Sequence, residues 1–521
     1  MKLLPPSFRG RAVHDEDAAH QASLVSGPFR ARPRSLLAPA DTEDLVHLVR
    51  WAGAEGLPLV PRGGGTGMPG GNLGGPLVVA MTEGFGAIQV ASDGESVRAG
   101  AGAVAAAVDA AVRARGRRLP FLPASAPWAT MGGIAANNSA GAGSFLHGAA
   151  AGWITGLAGV DATGTPFRTG SLGPEEGWLP ERLRSLPAAP ALEALSRDPA
   201  GIPTGWPRVR KNSSGYALDR FLPSGDPFTL LVGSEGTLAL LTEVEVRTAR
   251  VPETRRVLLL GAPNPEAVVA GALGAAELGA SACELLGRRF LEISGLVNRS
   301  PIDRLARNAF ALLLLEVEGT REEVEARLDA AEGLARQLDG GYLRADTEEQ
   351  AESLWKLRRA ASPIIAREAG RGLISTQFIE DSVVPVSELG GYLVELDRIL
   401  ARAHLDAVVF GHAGDGNIHV NPLVDVGSSD WKARVRRVLD EVVTLVAELG
   451  GTLAGEHGDG RLRAPFLSRI WGPELAGAFA EVKEWVDPAN LLNPGVVVPL
   501  PGQDPLEGFE PRPRAHPPDH P

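Results

Sequence analysis

The run Pro61-Arg62-Gly63-Gly64-Gly65-Thr66-Gly67-Met68-Pro69-Gly70-Gly71-Asn72 restricts this chain more than any other stretch of it. Glycines let successive backbone amides turn inward, and they let an anionic group approach the main chain closely. Gly65-Thr66-Gly67-Met68-Pro69-Gly70 formally matches the dinucleotide pattern GxGxxG, and Glu83 stands about where a ribose-binding acid would be expected. The context defeats that match. Pro69 and the glycines running on to Gly75 forbid the helix whose N-terminus would receive a pyrophosphate. Upstream, SLLAPADTEDLVHLVRWAGAEG reads as a helix capped by Asp41, with Asp44 three residues on, ending at Gly53–Gly56. LPLVP before the loop and PLVVAM after it read as strands. Helix, strand, glycine loop, strand is an α+β order with an anion-binding nest, and it excludes a Rossmann unit.

A length of 521 residues exceeds what one hydrophobic core organises, so two or three domains are expected. Pro, Gly and charge dominate Ser171–Arg208, which reads as a long surface excursion. The text changes near Val251-Pro252. Beyond it, amphipathic stretches (Arg321–Leu338, Glu348–Ala369, Ser387–Ala403, Trp431–Leu449) alternate with the strand-like VLLLGA, ALLLLEVEG and DAVVFGHAG. That alternation suits helices on one antiparallel sheet, again α+β. The single cysteine, Cys283, excludes an internal disulfide, a Cys-based zinc site and an iron–sulfur cluster held by this chain alone. It fits a reducing cytoplasm, and its GASACELLG setting reads as core. A net charge of −12 gives nucleic-acid binding no support. No apolar run reaches the length of a signal peptide or a membrane helix, so the expected location is cytoplasmic, with peripheral docking on a membrane left open.

Two further loops offer donors without bulk. PASAPWATMGGIAANNSAGAG spans Pro123–Gly143, and Lys211-Asn212-Ser213-Ser214-Gly215-Tyr216 is followed by Gly233-Ser234-Glu235-Gly236-Thr237-Leu238. A different constellation lies in VVFGHAGDGNIHVNP, Val408–Pro422. If Asp415-Gly416 is a two-residue hairpin turn, His412 and His419 fall directly opposite each other, close enough to share one metal ion. The segment Gly455-Glu456-His457-Gly458-Asp459-Gly460 offers a third ligand, and two His with one carboxylate suit Zn²⁺ or Mn²⁺ acting as a Lewis acid.

Taken in order, PRGGGTG, the Pro123–Gly143 loop, VDATG, KNSSGYAL, GSEGTL and the closing LLNPG resemble the FAD-binding (PCMH-type) domain of the vanillyl-alcohol oxidase superfamily. The chain is most similar to the D-lactate, glycolate and D-2-hydroxyglutarate dehydrogenase branch, from about Arg34 to Pro499. The resemblance implies an arm over 1–30, a two-subdomain FAD-binding domain over 31–250 and an α+β, ferredoxin-like substrate or cap domain over 251–455. It further implies a segment returning to the flavin over 456–500, and a disordered tail is expected over 501–521. It places Arg62, Gly63, Gly64, Gly65, Thr66 and Gly67 on the FAD pyrophosphate, with Gly133, Asn138 and Ser139 from the second loop and Gly236 and Asn493 nearer the flavin. Thr66 stands where some members carry a covalently attached His, which implies noncovalent FAD.

The branch also carries GHxGDGNxH and GEHGxG, with His412, His419 and Glu456 implied as metal ligands and His457 as the base. Arg358, in Trp355-Lys356-Leu357-Arg358-Arg359, matches the arginine that holds the substrate carboxylate. The implied reaction is metal-assisted oxidation of a small D-2-hydroxy acid (D-lactate, glycolate or D-2-hydroxyglutarate) to the 2-oxo acid; the resemblance favours a dehydrogenase over an oxidase, and no residue read here decides between them. One departure stands out. The D-2-hydroxyglutarate enzymes carry a Lys in a KYD segment, where this chain has STQFIEDSVVP, which weakens the case for a dicarboxylate substrate. IEDSVVP instead is similar to larger flavoproteins with a fused iron–sulfur domain. A separate electron acceptor follows as an expectation: a quinone, an electron-transfer flavoprotein or an iron–sulfur protein. A homodimer is also compatible with the resemblance. The alternatives are an electron-transferring FAD subunit and a non-redox FAD enzyme like the ether-lipid synthases, whose run of consecutive histidines is absent here.

Overall fold

The computed structural model describes residues 4–23, 25–173, 177–293, 301–359, 365 and 372–511. The helix Thr42–Glu55 begins where the Asp41 side chain accepts the Asp44 amide and ends at Gly56, whose φ of 62° is left-handed. It buries Leu45, Leu48, Val49 and Ala52 against a four-stranded sheet ordered Arg11–His14, Ser35–Ala38, Leu77–Ala80 and Leu59–Arg62. The last three strands run parallel. No helix follows Leu59–Arg62; the glycine run carries the chain straight to Leu77–Ala80.

A second sheet is antiparallel throughout and ordered Ile88–Val90, Ser96–Gly100, Ala239–Arg247, Ile154–Asp161 and Pro166–Gly170. The helix Met131–Asn137 packs on it, N-capped by Thr130 and closed by Asn138 at a φ of 48°. The stretch expected to be a surface excursion is instead folded inward. Leu179, Leu183, Leu186 and Leu192 are fully buried, and Arg182 donates to the Trp485 carbonyl. Short helices there place leucines at helical spacing, which the Pro and Gly content obscures.

Beyond Val251 the chain forms one large antiparallel sheet. Thr254–Ala262, Ala282–Gly287, Ala311–Gly319 and Tyr342–Ala345 stand in the spatial order fourth, first, third, second, with helices Pro265–Glu277 and Arg321–Gln337 as crossovers. That is the βαββαβ ferredoxin-like arrangement. The strands Asp406–His412 and Asn417–Val424 extend it from the Ala282–Gly287 edge. The helix foreseen as Glu348–Ala369 is seen as Glu348–Arg359; all beyond it but Ile365 lies outside the described residues.

The C-terminal part then crosses back. The helix Leu467–Val486 buries Trp471, Phe479 and Val482 in the same cluster as Val97, Leu157 and Tyr216. Residues 491–493 flank the strand before the glycine run, with Leu59 donating to the Leu491 carbonyl and Asn493 donating to the Leu59 carbonyl, both at 2.8 Å. The tail is ordered further than its composition suggested. Phe509 is 3% exposed and meets Phe29 edge-on at 5.4 Å, and the Glu510 amide donates to the Pro28 carbonyl. One aromatic anchor suffices to dock a segment that has no apolar period. Residues 512–521 lie outside the described residues. No helix among the described residues is long and apolar enough to cross a membrane.

Candidate active site

The glycine run forms one wall of a cleft. Arg62–Gly67, Ser125, Gly133, Asn137, Ser139, Glu235, Gly236 and His457 line it. Among the described residues, no protein acceptor takes the amides of Gly64, Gly65, Thr66 and Gly67. Successive free amides along a glycine run form a concave nest for an anion. Four consecutive free donors therefore suit a phosphate-bearing cofactor, and the partnerless, buried Asn72 Oδ1 adds an acceptor in the same cleft. The run has little choice of residue. A Cβ on Gly64 would lie 1.9 Å from the Trp128 carbonyl oxygen, and one on Gly63 would lie 2.4 Å from Thr130 Oγ1.

The second-loop residues divide. Gly133 and Ser139 face the cleft, as does Gly236. Asn138 does not. Its Oδ1 accepts the Ala151 amide and its Nδ2 donates to the Asn212 carbonyl, so it braces two loops while Asn137 takes the lining position. Asn493 also works from behind. Its Nδ2 donates to the carbonyls of Gly71 and Glu235, and its Oδ1 accepts Arg461. Arg62 donates to the Ala22 carbonyl.

The histidine hairpin differs from expectation in register. A turn of 3-10 helix, Ala413–Asp415, widens the loop, so His412 pairs with Asn417 and His419 pairs with Phe410. His412 and His419 are thus diagonal neighbours, and diagonal side chains on one face still meet; their ring centroids lie 5.2 Å apart. Glu456 Oε1 is 3.4 Å from His412 Nε2 and 3.3 Å from His419 Nε2, and all three residues are buried. Two imidazole nitrogens and one carboxylate oxygen within 4.8 Å of one another could hold a divalent ion. His457 stacks on His419 at 5.4 Å and reaches into the glycine-walled cleft, with Nε2 3.4 Å from Glu456 Oε1.

The residues supporting this cluster escaped sequence reading. Glu380 accepts His457 Nδ1 at 2.8 Å and Arg463 at 2.7 Å, and its carbonyl accepts His419 Nδ1. Asp381 Oδ2 accepts the amides of Gly455, Glu456 and His457, which fixes the GEHG turn. Glu284, beside Cys283 in a core strand, accepts His412 Nδ1 at 2.5 Å and Arg358 Nε at 2.7 Å. Arg358 lies 4.6 Å from the Phe410 ring centroid. Lys211, read as a cofactor-loop residue, sends its ammonium to Glu456 Oε2 at 2.5 Å.

The charges here govern one another. Burial alone would raise the Glu284 pKa, but His412 and Arg358 hold it down to about 2. Burial opposes charge on His419, yet Glu380 and Glu456 keep its pKa up at about 10. Burial likewise opposes charge on His457, and Glu380 and Asp381 still raise its pKa. Ligating imidazoles must be neutral, so a cation entering here releases protons.

Known families match both halves. An FAD binding domain model covers residues 33–170, and a model for the C-terminal domain of FAD-linked oxidases covers 251–497. Glycolate oxidase subunit GlcD of Bacillus subtilis is 29% identical over 94% of this chain and 92% of that protein. D-lactate dehydrogenase of Archaeoglobus fulgidus is 27% identical over 96% of this chain and 97% of its own. The chain spans about half of D-2-hydroxyglutarate dehydrogenase of Pantoea ananatis, 48% of it, at 28% identity over 90% of this chain. Among solved structures, 4-ethylphenol oxidase from Gulosibacter chungangensis superposes with a TM-score of 0.67 at 14% identity, covering 94% of each chain. An alkyldihydroxyacetonephosphate synthase gives 0.62 at 15% identity, over 94% of this chain and 83% of its own. The mixed α+β fold is thus that of PCMH-type flavoproteins, and the chain belongs to the FAD-linked oxidases, FAD-binding oxidoreductases that act on CH–OH groups.

Proposed function

We propose that the chain oxidises a small D-2-hydroxy acid to the 2-oxo acid, with noncovalent FAD and a divalent ion such as Zn²⁺ or Mn²⁺. One observation carries this reading: His457 projects into the glycine-walled cleft while its ring touches Glu456 of the His412, His419, Glu456 set. When bound, FAD supplies the two-electron acceptor for the Cα–H bond, and the ion supplies a Lewis acid that lowers the pKa of a bound hydroxyl. The free amides of the glycine run hold the pyrophosphate. His412, His419 and Glu456 hold the ion. His457 takes the hydroxyl proton at Nε2, because Glu380 occupies Nδ1 and fixes the tautomer. Arg358, oriented through Nε by Glu284, keeps its terminal nitrogens for the substrate carboxylate.

The names of the relatives support a hydroxy-acid substrate, with glycolate, D-lactate and D-2-hydroxyglutarate among those they print. A separate protein or quinone as electron acceptor accords with a relative that is itself named a subunit. Anaerobic bleaching of the flavin by a panel of D- and L-2-hydroxy acids, before and after chelation, tests the reading. Bleaching by one D-acid that a chelator abolishes and Zn²⁺ or Mn²⁺ restores is expected. A flavoprotein that no hydroxy acid reduces would overturn it.

A further inference from the structure

No residue of the KNSSGY motif lines the glycine-walled cleft, and Lys211 is directed instead to the Glu456 carboxylate. Its residue is 3% exposed, and its ammonium lies 2.5 Å from Glu456 Oε2. The other oxygen, Oε1, faces both histidines. The two oxygens of one carboxylate are therefore divided between a fixed cation and the imidazole pair.

The segment carrying Lys211 is stitched to the segment carrying Glu456. The Ser213 amide donates to the Ala454 carbonyl, and the Gly458 amide donates to Ser213 Oγ. Ser214 Oγ and the Gly215 amide both donate to the Asp459 carboxylate, at 2.7 and 2.8 Å. An ammonium on a buried stem, delivered from a segment bonded at four points, two through its amides and two through serine hydroxyls, has little freedom to swing away. Asp415 and Asp381 add their charge from the hairpin loop and from the IED segment.

Resting on the metal reading above, we propose that Lys211 is a positioning residue that keeps Glu456 a one-oxygen ligand. With Oε2 held by the ammonium, only Oε1 is free to meet an ion beside His412 and His419. A carboxylate binding through both oxygens would take up a position that the substrate hydroxyl needs. Metal sites that act on substrates keep such a position open. Lys211 thus fixes the ligand count, and with it the room for substrate, without touching either.

The test uses metal binding and local structure. Lys211→Met removes the ammonium and keeps a stem of similar bulk. The expected result is Zn²⁺ affinity weakened by about 10–100-fold, the usual cost of losing an outer-shell partner. X-ray absorption of the Zn-loaded variant should show a second carboxylate oxygen, and FAD content should be unchanged. Unchanged affinity would overturn the proposal. Tighter binding would also overturn it, because it would make the ammonium a competitor for the site. Should the variant fail to fold, X-ray absorption of the unaltered Zn-loaded protein decides alone: one carboxylate oxygen upholds the proposal and two overturn it. If the unaltered FAD-loaded protein takes up no Zn²⁺ or Mn²⁺, the metal reading itself falls together with this inference.

Discussion

The glycine-walled cleft and the histidine cluster meet at His457, yet they are built on opposite plans. The cleft is made of main chain. It presents neutral amides that no acceptor among the described residues takes, in a run where side chains would collide with Trp128 and Thr130. The cluster is made of side chains, each buried charge already holding a partner: Lys211 on Glu456, Arg358 on Glu284, Arg463 on Glu380. An open row of donors suits a large group that stays bound. A fully paired charge network suits a small ion that must be held at one geometry, because unpaired buried charges are costly even before a ligand arrives.

That contrast can be tested, beginning where the effect should be largest. Glu456→Gln leaves the Lys211 ammonium buried without its anion, so a stability loss of about 3–5 kcal/mol and no Zn²⁺ retention are expected. Thermal unfolding and metal content would show both, whereas a variant of wild-type stability would break the picture of a prepaired cluster. Next comes His457→Ala, which should cut kcat by about 10²–10⁴ with FAD still bound, the usual contribution of a proton acceptor. Stopped-flow flavin reduction would read it. Gly64→Ala should act on the other region alone. Overpacking of about 1–3 kcal/mol is expected to weaken FAD binding by roughly ten- to a hundredfold, leaving Zn²⁺ affinity intact. Equal losses of FAD and metal would show that the two regions are not separable.

The smallest effect concerns the seam between them. Glu318, on the strand Ala311–Gly319, accepts both Arg118 and His147 from the FAD-binding side. Burial would raise its pKa, but those two partners bring it down to about 2, below the ordinary 4.5. Its contribution to stability is therefore complete above pH 4.5 and fades as the pH falls toward 2. Residual solvent screening limits the effect to about 1 kcal/mol. Glu318→Gln should flatten that acid limb in pH-dependent denaturation, and an unchanged limb would rule the seam out.

Much of this was legible from local spacing. The glycine run, its missing helix, the paired histidines and the GEHG turn are all short-range patterns. The positions of Glu284, Glu380 and Lys211 were not, because each acts across 128, 77 and 245 residues of sequence. Glu284 sits in ACELLG, which reads as core strand, and it is core; only the fold shows that the carboxylate is buried because His412 and Arg358 meet it there. The hairpin register failed for a local reason. Asp-Gly favours a two-residue turn, but Gly416 at a φ of 69° follows a turn of 3-10 helix instead. Asn138 was misread because its left-handed helix-capping role leaves the side chain pointing between loops.

The helix Leu467–Val486 lies in the core of the FAD-binding part, and this has a consequence for biosynthesis. A ribosome releases the N-terminal half first, at about 5–20 residues per second. The cofactor domain therefore emerges without one of its central helices and waits for roughly ten seconds or more while the sheet beyond Val251 is made. During that wait its apolar floor, later covered by Trp471 and Phe479, is open to chaperones and to aggregation. The order of translation thus makes the large second sheet an insertion that has to fold before the first domain can close.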